Sequence, residues 1–138
     1  MVRAEIITIG DEILYGQILD TNTQWISFEL DKLGIKTIRK SSVGDSAEEI
    51  TTILNESKSR ADVVFITGGL GPTKDDLTKK VLADFFHCSL EMNDDALEDV
   101  TEFFLKRGRE LTDINRGQAL LPTKAQFIPN KQGTAPCM

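Results

Sequence analysis

The feature that most restricts the fold is a pair of matching segments. AEIITIG (residues 4–10) and DVVFITGG (residues 62–69) are both short, rich in isoleucine and valine, and closed by glycine. A run of this length that stays largely apolar suits a strand covered on two faces, as in a parallel sheet. Between them, NTQWISFELDKLG spaces Trp25, Ile26, Leu30 and Leu33 about one helical turn apart and stops at Gly34, which predicts a helix with a glycine terminator. IKTIRKSSV then alternates as a less buried strand, and SAEEITTILNESKS opens on a Ser46/Glu49 capping box with Ile50, Ile53 and Leu54 on one face.

The second half continues in the same manner. DDLTKKVLADFF carries Leu77, Val81, Leu82 and Phe85 on one side, NDDALEDVTEFFLKRG carries Leu97, Val100, Phe103 and Phe104, and TDINRGQALL predicts a final helix stopped by Pro122. AQFIP is a candidate edge strand. Strands alternating with helices imply an α/β fold with a mostly parallel sheet covered on both faces, because parallel neighbours need crossover connections. At 138 residues, one domain spanning residues 1–138 with one core is expected.

Ligands of such sheets sit outside the carboxyl ends of the strands. Three segments arrive there: Gly10, Asp11 and Glu12; Gly44, Asp45 and Ser46; and the decamer TGGLGPTKDD (residues 67–76). In the decamer, Gly68, Gly69, Leu70 and Gly71 form a pliable backbone ahead of a helix start, where unpaired N–H groups favour an anion, while Pro72 stiffens the turn and Thr73 offers a hydroxyl. The loop is neither a P-loop nor a GxGxxG turn. Asp75 and Asp76 either serve as favourable acids at the start of a helix or face the same ligand. A phosphate beside two carboxylates calls for a cation between them, so a divalent ion such as Mg²⁺ is the expected mediator, with Asp11, Glu12, Asp75 and Asp76 as its candidate ligands. Any one of the five acids Asp11, Glu12, Asp45, Asp75 and Asp76 with a raised pKa can serve as general base toward water, Asp45 among the candidates.

Asn22 in DTN either sits in a helix cap or reads a ligand amide or ribose. Arg116 in NRGQ is the cation expected to complete the phosphate clamp, its alternative being a surface arginine. The single histidine, His87, follows DFF at a helix end and suits packing or a helix dipole. Trp25, Phe103 and Phe104 recur at helical spacing and are read as core. Cys88 and Cys137 form no CxxC pair and no disulfide framework. A formal net charge of -6 argues against nonspecific nucleic-acid binding and fits solubility or metal chelation. No apolar run of roughly 18 residues is present to span a membrane, and the opening MVRAEIITIG lacks the pattern of a secretory signal, so a cytoplasmic location is expected.

EIITIGDEILYGQILDTN, VGDS, TGGLGPTKDDLT and NRGQALLP together resemble the N-terminal domain of the CinA family, the competence/damage-inducible proteins, a relative of the MoaB/MogA molybdopterin-binding fold. The resemblance implies a three-layer α/β/α domain with the glycine loop as anion site. It places the loop acid and the threonine two positions later on Asp76 and Thr78, and a second functional acid on Asp45. It also implies metal-dependent hydrolysis of the ADP-ribose pyrophosphate to AMP and ribose 5-phosphate, with Mg²⁺ or Co²⁺ and an additional K⁺ requirement. Two alternatives use the same loop: molybdopterin binding or adenylyl transfer, and noncatalytic nucleotide sensing. Homo-oligomers are common among such relatives, and a dimer is preferred over a trimer. CinA-type chains usually continue past GTAP into a PGVP-like loop and often an amidase domain, so this chain reads as a fragment without amidase activity.

Overall fold

Seven residues, Arg3–Ile9, form β1, and six of them are buried. The strand is central in a three-stranded parallel sheet of order β2-β1-β3, where β2 is Lys36–Val43 and β3 is Val63–Thr67. The computed structural model describes residues 1–73 and 76–138 and divides into two compact units, Met1–Gly69 and Leu70–Met138.

In the first unit, β1 leads through a short helix α1 (Asp11–Leu14) and a longer α2 (Thr21–Lys32) to β2, and α3 (Ala47–Arg60) returns the chain to β3. The two crossovers run in opposite directions from β1, so right-handed connections place α2 and α3 on opposite faces of the sheet. Side-chain parity agrees. Ala4 and Ile6 pack with Leu30 of α2, flanked by Ile26, Ile35 and Phe65, whereas Glu5 meets Arg60 of α3, and Ile7 and Ile9 share the Glu5 face. Burying each isoleucine contributes roughly 1.5–3 kcal/mol, which is why this strand is apolar on both sides. The parallel α/β architecture anticipated from the two matching segments is present.

α2 turns differently from its expected face. Its buried line is Thr23, Ile26 and Leu30, and Trp25 and Leu33 are 65% and 73% exposed. Trp25 lies one position off the stripe, about 100° around the helix, and Leu33 lies past its last turn. Reading Trp25 as core is therefore corrected. α3 does bury Ile50, Ile53 and Leu54. The Ser46 hydroxyl accepts from the Glu49 N–H at 3.4 Å, but the Glu49 carboxylate accepts from the Gly44 N–H at 3.1 Å, so the capping box is only half made.

The second unit holds α4 (Thr78–Phe85), β4 (Leu90–Met92), α5 (Asp94–Leu105), α6 (Asp113–Arg116), a 3₁₀ turn (Gly117–Ala119) and β5 (Leu120–Pro122). β4 and β5 pair antiparallel, and Ala96, Ala119 and Leu121 form a core with Leu97, Phe127 and Met138 packed against it. The expected final helix breaks after Gln118 and Ala119 because Leu120 and Leu121 enter the ladder with β4. Among the described residues AQFIP contributes one isolated bridge, Ile128 to Cys137. Phe103 and Phe104 are half-buried and meet edge to face at 5.9 Å, with the Arg107 guanidinium 3.6 Å above the Phe103 ring. His87 ends α4 at φ 54, its N–H bonded to the Asp84 carbonyl.

The fully buried Glu5 stands among isoleucines because Arg60 grips it from Nε and Nη2, both at 2.8 Å, and Ser41 Oγ donates at 3.4 Å. The Arg60 hydrogen bonds hold the Glu5 carboxyl below the ordinary 4.5 against the opposing effect of burial, helped by Ser57 and the Arg39 charge. Because the folded value is the lower one, this stabilisation is at full strength above pH 4.5 and is lost as pH falls through the folded value. Removing one partner strands a buried charge, while replacing both does not. Arg60→Met is expected to lower the urea midpoint markedly at pH 7 and the Glu5→Leu/Arg60→Met pair to recover most of that loss; a pair less stable than the single variant contradicts this role.

Candidate functional site

Parallel pairing brings the carboxyl ends of β1, β2 and β3 to one edge of the first unit. Gly10, Gly44 and Gly68 follow those ends. At Gly68, φ is 95, and a Cβ would stand 1.9 Å from the Ile9 carbonyl oxygen, so only glycine lets the loop close onto the end of β1. Gly69 is also left-handed, with φ 63. Among the described residues, the N–H groups of Gly69, Leu70 and Gly71 meet no protein acceptor. Three successive donors left open in a half-buried loop are the arrangement an anion completes. The Gly10 N–H, by contrast, bonds to the Val43 carbonyl at 3.0 Å and extends the ladder, so Gly10 offers close approach and no donor.

The acids of this edge are engaged with the backbone. Asp11 Oδ1 accepts from the Asp45 N–H at 3.1 Å, and Asp45 Oδ2 accepts from the Asp11 N–H at 3.2 Å. This reciprocal clasp ties the start of α1 to the end of β2. A Cβ on Gly44 would fall 2.6 Å from Asp11 Oδ1, so a side chain there would displace the clasp. Glu12 is exposed, its carboxylate folded back over Gly10.

Sequence reasoning passed over the adjoining network below the edge. Thr8 Oγ1 and Thr23 Oγ1 each lie 2.6 Å from Asp20 Oδ2, and Asp20 Oδ1 accepts from the Thr23 N–H at 2.9 Å. Burial opposes ionisation of Asp20, but hydrogen bonds from Thr23 and Thr8 and the Lys40 charge outweigh it and hold the carboxyl below its ordinary value. Asp20 thus caps α2 and pins its first turn to β1, which leaves Asn22 exposed at that turn. The capping half of DTN was legible; Thr8 carried no sign beyond being a hydroxyl in an apolar strand.

In the second unit, Asp76 precedes α4, and Leu77 takes the N-cap position. Asp76 Oδ2 accepts from the Thr73 N–H at 3.0 Å and from Thr73 Oγ1 at 2.5 Å, closing the Thr73 turn, and a Cβ on Gly71 would fall 2.6 Å from the same oxygen. Gly71, Thr73 and Asp76 are therefore brought together, and Asp76 is not a first-turn helical residue as expected. Thr78 is 1% exposed at the start of α4. Beside it is a residue the sequence reading omitted: Lys79 is 8% exposed and donates to the Gln118 carbonyl at 2.9 Å. Arg116, the last residue of α6, is exposed, and its guanidinium meets no acceptor among the described residues.

Asp75 lies outside the described residues. Among the described residues no three acidic, histidine or cysteine side chains gather in a way that could hold a metal ion. Asp11 and Asp76 each give a carboxylate oxygen to a backbone N–H group. Nor, among the described residues, is any helix long and apolar enough to cross a membrane.

Glycine loop, parallel sheet and edge acids define a class. The chain belongs to the family described as probable molybdopterin binding domain, whose model matches residues 5–138. Within it the chain is similar to a CinA-like protein of Cytophaga hutchinsonii, 56% identical over 137 residues that cover 99% of this chain and 33% of the relative. A CinA-like protein of Gloeothece citriformis is 47% identical over 135 residues, 98% of this chain and 32% of the relative. The chain thus spans about a third of the length of these curated relatives. Among solved structures, CinA from Thermoplasma acidophilum superposes with a TM-score of 0.85 at 34% identity, covering 97% of this chain and 78% of that one. The tungsten cofactor synthesizing protein MoaB from Pyrococcus furiosus gives 0.60 at 30% identity, covering 75% and 64%. The kinship with CinA and with MoaB/MogA inferred from the four motifs is shown. None of these names speaks of ADP-ribose or of pyrophosphate hydrolysis.

Gly68→Ala joins a forbidden φ to a backbone clash and is expected to destabilise the chain by more than about 3 kcal/mol. Gly117→Ala, with no atom within 4 Å of its Cβ, serves as the control and is expected to unfold near the parent midpoint. Equal midpoints for the two variants, read by circular dichroism, would contradict the close approach at Ile9.

Proposed function

We propose that this domain binds a phosphate-bearing ligand of the molybdopterin type, with the glycine loop as its anion cradle. The single observation that carries the reading is the run of open N–H groups at Gly69, Leu70 and Gly71, in a chain of the molybdopterin binding domain family. Backbone donors fixed by glycine need no reorganisation to receive a phosphate oxygen. Arg116 carries a guanidinium of the kind that suits phosphate oxygens, and Asn22 a side-chain amide of the kind that suits a polar ligand edge. In this reading Asp76 shapes the loop that presents those donors by closing on Thr73, and Asp45 fixes the neighbouring strand end by its clasp with Asp11.

A second reading has one observation in its favour: identity to CinA-like proteins reaches 56%, against 30% for MoaB. On that branch the cradle holds the pyrophosphate of ADP-ribose, and water, positioned by Asp45, displaces AMP from ribose 5-phosphate, with Asp76 at the phosphates and Mg²⁺ or Co²⁺, and K⁺, as cofactors.

Equilibrium binding to molybdopterin and to ADP-ribose, followed by product analysis with Mg²⁺ or Co²⁺ with and without K⁺, separates the two. The leading reading expects molybdopterin to be retained and ADP-ribose to survive intact. Appearance of AMP and ribose 5-phosphate, abolished by Asp76→Asn, would place hydrolysis first. Retention of neither ligand contradicts both.

A further inference from the structure

Lys79 stands in an unfavourable place for an ammonium. It is the second residue of α4, only 8% exposed, and burial pulls its pKa below the ordinary 10.5, with the Asp76 charge acting in the opposite sense. A methionine or leucine would fill the same volume without desolvating a charge. Its partner is the Gln118 main-chain carbonyl, 2.9 Å away. Gln118 lies in the 3₁₀ turn, whose late carbonyls have no partner within the turn, and a cation placed there closes it from outside. Gln118 is itself 4% exposed, and its side-chain Oε1 is buried with no hydrogen-bond partner among the described residues. A buried cation and a buried side-chain oxygen with no partner among the described residues therefore meet at one junction. That junction joins the start of α4, which follows Asp76, to Gln118, two residues after Arg116.

We propose that Lys79 is a positioning residue for anion binding: through the Gln118 carbonyl it holds the α6 and 3₁₀ segment in the pose that presents Arg116 to the phosphate of the ligand. The inference rests on the phosphate-binding reading above. It adds a residue that touches no ligand and acts through Arg116. Helix capping alone would explain a stabilising lysine; it does not explain a desolvated cation beside an unmet amide, at a joint leading to an uncommitted guanidinium.

The test uses Lys79→Met, Arg116→Ala and the double variant, with inorganic pyrophosphate as the probe in calorimetry and backbone amide exchange as a second readout. Expected is a roughly tenfold loss of pyrophosphate affinity in each single variant and no further loss in the double, with the Lys79→Met melting temperature equal to or above the parent's. Lys79→Arg, which keeps the charge and a donor, is expected to recover most of the affinity. Multiplying losses in the double variant, or unchanged affinity in Lys79→Met beside a weakened Arg116→Ala, would overturn the proposal. If the parent chain binds no pyrophosphate, the phosphate-binding reading fails by itself, and amide exchange still decides the joint. Lys79→Met must then speed exchange across residues 113–119 and leave β1 unchanged; equal exchange overturns the proposal. Should Lys79→Met not fold, Lys79→Gln takes its place in both measurements.

Discussion

The first unit depends on burying both faces of β1. A strand whose even residues pack under one helix and whose odd residues pack under another must have a parallel neighbour on each side, because each connection has to cross a face. Glu5 shows how strict the demand is. An acid at this position persists because α3 delivers the Arg60 guanidinium and the Ser57 hydroxyl to it and β2 adds the Ser41 hydroxyl. Glycines follow the ends of the sheet's strands, and the close approach of Gly68 to the Ile9 carbonyl locks the third strand end against the first.

The acids at the candidate site also hold its backbone. Asp11 and Asp45 exchange backbone hydrogen bonds, Glu49 closes on Gly44, and Asp76 closes on Thr73. Each oxygen so used satisfies a loop N–H that would otherwise be unpaired, the role that acidic side chains commonly take in turns. The donors that stay open, in Gly69, Leu70 and Gly71, are those without an acid of their own.

Strand positions, helix positions and the edge that carries the glycine loop were legible because periodicity and glycine report local constraints directly. Trp25 was misplaced since a stripe shifted by one residue still looks amphipathic, and only the packing of Ile26 and Leu30 on Ala4 and Ile6 sets the rotation. The final helix failed where Leu120 and Leu121 had a strand partner, Leu90–Met92, too short to be conspicuous. Thr8 with Asp20 and Lys79 with Gln118 stayed hidden for a common reason: each is a contact between residues 12 and 39 positions apart, with no pattern in the intervening sequence. Residues whose own chemistry suits a ligand could be nominated from the chain, while contacts that hold other residues in place could not.

The proposed role of the glycine loop as an anion cradle built from backbone is open to a pyrophosphate titration followed by amide chemical shifts. The largest shifts are expected at the N–H groups of Gly69, Leu70 and Gly71, saturating together. Shifts confined to the cationic stretch of β2, Lys36, Arg39 and Lys40, with the loop amides unmoved, would contradict it.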